Sequence, residues 1–114
     1  MSIFVRARFA VREGQQPKFE EIAATLTRRA TQEPGTLIYR WFGPTHGNYL
    51  VIEQYADTAA ALAHNGRSTD LLACIESCAE MVSAELYGSL GPELRAWVSA
   101  HSQVTAYPDC PWTN

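Results

Sequence analysis

Hydrophobic and polar residues alternate at the start of the chain. Ile3, Val5, Ala7, Phe9 and Val11 occupy every second position, and arginines fill much of the other set. A period of two is typical of a β-strand with one apolar face. The spacing then becomes helical over "QQPKFEEIAATLTRRATQ", and we expect the next "EPG" to end that helix, because proline restricts the residue before it.

Two strands and two helices are predicted next. "TLIYRWFG" and "YLVIEQYA" are rich in β-branched and aromatic residues, and "PTHGN" between them predicts a turn and an antiparallel hairpin. Asp57 or Thr58 is expected to cap a helix through "AAALAHN" that ends at Gly66. Ser68 is the predicted cap of a second helix, "TDLLACIESCAE".

The chain then returns to a strand and ends in an extension. "MVSAELYGSL" is predicted to be the last long strand, and "GPELRAWVSAH" a short amphipathic helix. Leu94, Trp97, Val98 and His101 share one stripe of that helix, so His101 is expected to pack. "SQVTAYPDCPWTN" is predicted to be an extended tail.

The order of these elements predicts an α+β fold of the ferredoxin-like βαββαβ type. We expect a single domain over residues 1–114, with a core at about 3–87 and a C-terminal helix and tail at 88–114. The second and third strands are apolar at nearly every position, so both faces of the sheet need cover. A homodimer in which two sheets meet supplies that cover, and twofold dimers are the commonest soluble oligomers.

Composition limits the partners. The 114 residues carry a formal net charge of -3, and the nine basic residues form no stripe, so no nucleic acid is expected. No apolar run approaches the roughly 20 residues of a membrane span, so no membrane partner is expected either. Arginines inside "MSIFVRARFA" do not fit a signal peptide, and the expected location is the cytoplasm.

Three cysteines leave one thiol unpaired in any disulfide scheme. Cys74 and Cys78 are four residues apart on a predicted helix, where we interpret them as small buried apolar residues. They lack the two-residue spacing of thioredoxin-like redox pairs, and no further metal ligands lie near them, so no metal site is predicted. Cys110 lies in the predicted tail.

Two residues carry candidate proton chemistry. His64, with Asn65 beside it, lies toward the end of a predicted helix, on the flank of its apolar face. A neutral imidazole there can accept a phenol or enol proton, but a half-buried histidine bonded to a backbone carbonyl is the structural alternative. Glu53 lies mid-strand among apolar neighbours, so it must be paired or protonated.

Arginines and aromatic residues surround these two. Arg6, Arg8 and Arg40 are the available partners for Glu53, in a structural salt bridge or in holding an anionic substrate. Tyr39 and Trp41 share one strand face and are either core, dimer interface or a flat wall for an aromatic ligand. Two further tyrosines, Tyr55 and Tyr87, end their strands and are candidate hydrogen-bond donors at a cavity mouth.

The motifs "EPGTLIYRWF", "YLVIEQYADTAAALAHN" and "FVRARFAVREGQQPKFEEIAATL" resemble the antibiotic biosynthesis monooxygenase family over roughly residues 3 to 87. The resemblance implies a dimeric α/β barrel with a ligand cavity between sheet and helices in each protomer. It also implies, for some members, oxidation of phenolic polycyclic substrates or quinols by O2 with no metal, flavin or other cofactor.

The chain departs from the better-defined branches of that family. Anthrone-oxidising members carry an asparagine and a tryptophan where this chain has Ala60 and His64. Haem-degrading members have an asparagine on the first strand, where this chain offers Arg6 and Arg8, and a histidine on a helix that has none here. These departures disfavour haem breakdown.

Three functional hypotheses follow from the residues and the resemblance. The first is a cofactor-independent monooxygenase for a phenolic, quinol or enolisable aromatic molecule, with His64 as base or orienting donor and Arg40 or Arg8 stabilising an anion. Tyr39, Trp41, Glu53, Tyr55 and Asn65 complete the predicted substrate site. The second is a non-oxidative isomerase that uses His64 and Glu53. The third is a non-catalytic binding or structural dimer, favoured if the chain's own side chains fill the cavity.

Overall fold

The computed structural model describes residues 2–112, so Met1, Thr113 and Asn114 of the predicted domain lie outside the described residues. Its elements follow in the predicted order. They are β1 (Ile3–Val11), α1 (Gln16–Ala30), β2 (Thr36–Thr45), β3 (Asn48–Tyr55), α2 (Thr58–Arg67), α3 (Thr69–Cys78), β4 (Ala79–Tyr87), α4 (Gly91–Ala100) and β5 (Val104–Tyr107). No helix within residues 2–112 has the length and apolar character needed to cross a bilayer.

The strands form one mixed sheet in the order β2-β3-β1-β4-β5. The first four pair antiparallel, which confirms the predicted ferredoxin-like βαββαβ arrangement. β5 was expected only as extended tail; it adds parallel to the free edge of β4, with Val104 beside Ala84. Four residues are too few to show a strand period in the sequence.

One face of the sheet carries the helices and the core. Ile3 and Ala7 of β1 are buried beneath the helices, as the alternation predicts. Phe19 and Leu26 of α1 and Leu94 of α4 pack into the same layer. We call this the inner face of the sheet. It forms one wall of the space between the sheet and helices α2, α3 and α4.

The opposite face of the sheet, which we call the outer face, has no helix over it in the described chain. It presents Phe4, Ile38 and Phe42, which are about 40% exposed. The Arg40 guanidinium lies 4.8 Å from the centre of the Phe42 ring. β2 therefore carries apolar side chains on both of its faces, as its sequence pattern indicates. That pattern is the reason for expecting that both faces of the sheet are covered.

One predicted boundary between α2 and α3 is wrong, and one predicted cap lacks its hydrogen bond. Asp57 caps α2 as expected, with its Oδ1 accepting from the Ala60 N–H at 2.8 Å, but the helix runs through Gly66 to Arg67. Ser68 occupies the N-cap position of α3, yet its hydroxyl makes no capping bond. That hydroxyl is buried and has no hydrogen-bond partner within residues 2–112.

The turn between β2 and β3 is shorter than predicted. β2 continues to Thr45, so only His46 and Gly47 form the loop. Their φ angles of 52° and 76° are those of a type I′ turn, whose twist matches that of antiparallel strands. The turn pairs Thr45 with Asn48, and an irregularity between Phe42 and Thr45 then shifts the register by one residue, so that Tyr39 lies opposite Glu53 and Trp41 opposite Val51.

The cysteines differ in burial. Cys78 is fully buried in the core under α1, and its Sγ donates to the Cys74 carbonyl at 3.0 Å. Cys74 is exposed, so the expectation that both are buried is wrong for Cys74. The two positions lie one turn apart on α3, but only Cys78 faces the sheet.

Candidate functional site

A cavity of about 560 Å³ lies between the inner face of the sheet and helices α2, α3 and α4. This volume is in the range of sites that bind small organic molecules. Most of its wall is apolar, contributed by Val5, Ala7, Phe9, Ala61, Leu72, Ile75, Ala79, Met81, Ala84, Leu86, Leu94 and Trp97. Its polar lining consists of Arg12, Glu53, Tyr55, Asn65, Glu76, His101 and Gln103.

Glu53 supplies a carboxyl group to this apolar cavity. It lies near the end of β3, and the Tyr55 hydroxyl, two residues along the same strand face, donates a hydrogen bond to its Oε1. Burial raises the pKa of Glu53 above the usual range, and the Tyr55 bond and the charge of His64 offset this only in part. A carboxyl group with a raised pKa is suited to accept and return a proton near neutral pH.

His64 does not line the cavity but lies behind it. Its side chain is 2% exposed, and Nδ1 is 2.7 Å from Oε1 of Glu33, in the loop between α1 and β2. The imidazole ring packs between Tyr39 and Tyr55, with ring centres 5.2 and 5.5 Å away. The histidine is thus a core residue, and its partner is a carboxylate rather than the backbone carbonyl considered from the sequence.

Glu33 has the opposite environment from Glu53. Burial raises its pKa, but hydrogen bonds from His64 and Thr36, the charge of His64 and a bond from Arg67 outweigh burial, so the pKa of Glu33 lies below its usual range. Glu33 is therefore the carboxylate that stays ionised. Two carboxyl groups with pKa values pushed apart commonly mark which one transfers protons. In this pair, Glu53 is the carboxyl group whose pKa is raised.

The structure separates the predicted site residues into three groups. Glu53, Tyr55 and Asn65 line the cavity. His64, Tyr39 and Trp41 pack beneath it as part of the core. The remaining two, Arg8 and Arg40, alternate with the inward residues of their strands and lie on the outer face.

The arginines are not the partners of Glu53. Arg6, also on the outer face, pairs with Glu85 at 2.6 Å. Arg40 stacks on Phe42, as described above. The expected salt bridge between Glu53 and an arginine is therefore wrong, and a tyrosine hydroxyl takes its place.

Several lining or supporting residues were missed from the sequence. The sequence identifies Glu33 only as part of the segment that ends a helix, because a loop residue belongs to no periodic pattern. His101 was expected to pack, and Gln103 was placed in the tail, but both line the cavity. The amphipathic stripe of α4 was the available signal, since it carried His101 on the same side as Leu94.

The polar groups that line the cavity are few and differ in kind. Within residues 2–112 no group of three or more His, Cys, Asp and Glu side chains is placed to hold a metal ion. What the cavity does offer is one carboxyl group, a tyrosine hydroxyl, an amide and an imidazole around an apolar space.

A ferredoxin-like sheet with a ligand-sized cavity under its helices defines the class of protein. The family model for antibiotic biosynthesis monooxygenases matches residues 2–99, and the chain belongs to that family. A comparison with curated protein sequences finds no match.

Solved structures share the fold at low sequence identity. MupZ from Pseudomonas fluorescens is 19% identical with a TM-score of 0.80, covering 99% of this chain and 93% of that one. Rv0793 from Mycobacterium tuberculosis is 18% identical with a TM-score of 0.70, covering 75% and 92%. SnoaB, a cofactor-independent oxygenase from Streptomyces nogalater, is 16% identical with a TM-score of 0.65, covering 75% and 89%.

Proposed function

We propose that this protein is a cofactor-independent monooxygenase that oxidises a phenolic, quinol or enolisable aromatic molecule with O2. The observation that carries the proposal is the carboxyl group of Glu53, which has a raised pKa in an apolar cavity of about 560 Å³. Membership of the antibiotic biosynthesis monooxygenase family supports the reaction type, and SnoaB gives an example of the same fold in an oxygenase that needs no cofactor.

In the proposed mechanism Glu53 is the base. Its ionised carboxylate removes a proton from the substrate CH2 or hydroxyl group, which leaves an electron-rich carbanion or phenolate that can reduce O2. For a substrate CH2 group, one oxygen atom becomes the carbonyl oxygen and the other leaves as water with the two hydrogens, so atoms and electrons balance. Tyr55 holds the carboxyl group in place by donating to Oε1.

His64 is proposed as a positioning residue in place of the base predicted from the sequence. It is enclosed by Tyr39 and Tyr55 and is bonded to Glu33, so it does not meet the substrate. Its charge lowers the pKa of Glu53 and thereby favours the ionised base. Asn65, on the next position of α2, lines the cavity and is the proposed hydrogen-bond donor to a substrate oxygen.

Oxygen uptake with a panel of quinols and anthrones tests this proposal. Glu53→Gln preserves the size of the side chain but cannot accept the proton, so we expect the rate to fall by about 10²- to 10⁴-fold. Glu80→Gln makes the same change at an exposed position of β4 that does not line the cavity and is expected to retain the wild-type rate. Equal rates for wild type and Glu53→Gln would remove Glu53 from the mechanism.

The pH profile separates positioning by His64 from a purely structural role. If the charge of His64 lowers the pKa of Glu53, His64→Gln raises that pKa, and the rising limb of the rate moves to higher pH. A structural role alone would lower the rate equally at every pH. A loss of rate without movement of the limb would therefore contradict the proposed coupling.

A non-oxidative isomerase is the second candidate. The pair formed by Glu53 and Tyr55 can take a proton from one carbon of a keto compound and return it to another without oxygen. Turnover of a small keto substrate under argon, lost in Glu53→Gln, would favour this reaction. Oxygen consumption in step with product formation would favour the monooxygenase.

The proposal includes a homodimer and a cytoplasmic location. The apolar outer face supports the dimer, because a monomer would leave Ile38 and Phe42 in water. Cys74, Cys78 and Cys110 are free thiols, which is typical of a reducing compartment. The third hypothesis, a non-catalytic binding or structural dimer, would be favoured by a cavity filled with the chain's own side chains, and the open volume under α4 does not supply that support.

A further inference from the structure

The cavity has a second polar end, built by α4 and the residues that follow it. His101 and Gln103 line the cavity there, whereas the family match ends at residue 99. Rv0793 and SnoaB each align with 75% of the chain, and MupZ, which aligns with 99%, also matches the extension. This end of the cavity therefore belongs to the C-terminal extension and not to the part shared with the family model.

The hydrogen bond of His101 fixes its tautomer. Nδ1 lies 2.7 Å from the Trp97 carbonyl oxygen, and a carbonyl oxygen only accepts, so Nδ1 carries the hydrogen. In the neutral ring the lone pair is then on Nε2, on the far side of the ring from that bond. The ring also stacks on Trp97, with centres 4.6 Å apart and planes 34° apart. The extension thus holds an orientated hydrogen-bond acceptor at the cavity wall.

The two polar ends lie on different strands with apolar lining between them. Glu53 is on β3 and Gln103 immediately precedes β5, and the sheet order places three strand spacings between these strands. Three spacings correspond to about 14 Å. Apolar side chains line the floor between the two ends, namely Val5, Ala7, Met81, Ala84 and Leu86.

We propose that the substrate is elongated, with an apolar body, a reactive phenol or enol at Glu53 and a hydroxyl group that donates to Nε2 of His101. A hydroxyl fits better than a carboxylate, because neutral Nε2 accepts a hydrogen bond and therefore needs a donor. The identity of the reactive end rests on the function proposed above. The recognition at His101 rests on the cavity and the tautomer alone.

Two probes with the same six-carbon chain test the second end. The first is 4-hexylphenol, and the second, 6-(4-hydroxyphenyl)hexan-1-ol, carries a hydroxyl at the far end of the same chain. Calorimetry measures their affinities for wild type, for His101→Phe, which keeps an aromatic ring but has no acceptor, and for Tyr107→Phe. Tyr107 is exposed, lies in the same extension and does not line the cavity, so its variant is the matched control.

The deciding quantity is the ratio of the two affinities. We expect His101→Phe to lower the preference for the hydroxyl-bearing probe by about tenfold, the scale of one hydrogen bond, and Tyr107→Phe to leave it unchanged. An unchanged ratio in His101→Phe would overturn the proposal, and so would failure of both probes to bind wild type.

Binding needs no turnover, which keeps this test apart from the proposed function. Glu53→Gln is expected to retain the preference for the terminal hydroxyl, because Glu53 lies at the other end of the cavity. If that preference holds while no quinol or anthrone is oxidised, the monooxygenase proposal fails and the recognition by His101 stands.

Discussion

Glu33 and Glu53 both interact with His64, but their surroundings act in opposite directions. Glu33 collects donors from His64, Thr36 and Arg67, which favour its ionised form. Glu53 faces an apolar cavity with one hydroxyl donor, so burial dominates. The histidine consequently lies between a carboxylate that stays ionised in the core, Glu33, and a carboxyl group that can change its protonation state, Glu53. The stability of the protein is therefore expected to depend on pH in a different way for each of the two groups.

Replacement of Glu53 by glutamine is expected to stabilise the protein above the acid range. The raised pKa means that the folded state holds a proton that the unfolded state has lost, so wild-type stability falls as pH rises through the folded pKa of Glu53. Glu53→Gln lacks this loss. Urea unfolding of wild type and variant between pH 4 and 8 should show a difference that grows with pH. A difference independent of pH would contradict the raised pKa.

Replacement of Glu33 by glutamine is expected to destabilise the protein at pH 7 by about 3 kcal/mol, because it leaves His64 buried without its carboxylate. The lowered pKa of Glu33 gives stability that is present above its unfolded pKa and lost as pH falls through the folded pKa. Wild type should therefore lose more stability in acid than Glu33→Gln. Glu13→Gln, at an exposed loop position, is the control and should follow wild type.

The residues of the site could be predicted from the sequence only in part. The position of Glu53 among apolar neighbours indicated a buried carboxyl group, because the strand period places that residue. The family resemblance drew attention to the position of His64. The partner of each was not predictable. Glu33 comes from a loop 31 residues from His64, and Tyr55 replaced the expected arginines because those arginines point to the outer face.

At the scale of elements, long periodic segments were predicted well and short or irregular ones were not. The alternation in β1 and the apolar stripe of α1 gave the correct faces because many residues repeat the same pattern. β5 has four residues and depends on the free edge of β4, which is tertiary information. Gly66 does not end α2, which continues to Arg67. A glycine inside a helix costs only about 1 kcal/mol, so a single glycine is a weak stop signal.

The junction between α2 and α3 offers a test at this scale. The Ser68 hydroxyl is fully buried and finds no partner among residues 2–112, so it bears a desolvation cost without a bond. We expect Ser68→Ala to raise the free energy of unfolding by about 1 kcal/mol. Ser77→Ala is the control, because the Ser77 hydroxyl donates to the Cys74 carbonyl at 2.7 Å and its loss should not stabilise. A destabilised Ser68→Ala would show that the hydroxyl has a role.

At the scale of the whole molecule, the two faces of the sheet differ in what covers them. The inner face, with the helices, encloses the cavity and carries Glu53. The outer face carries apolar residues flanked by arginines, which no described element covers. The sequence predicted this division from apolar residues on both faces of β2 and β3, but the cavity itself required the packing of α4 against β5 and α2, which no local pattern encodes.

The outer face predicts the oligomeric state. Ile52 lies on β3 between Arg6 of β1 and Arg40 of β2, at the centre of that face. Ile52→Lys adds a positive charge directly beside these two arginines, and like charges at an interface cost several kcal/mol, so we expect a dimeric wild type to become a monomer. Light scattering after size exclusion measures the mass directly. Ala24→Lys, on the exposed side of α1, should remain dimeric. A monomeric wild type, or a dimeric Ile52→Lys, would place the interface elsewhere or remove it.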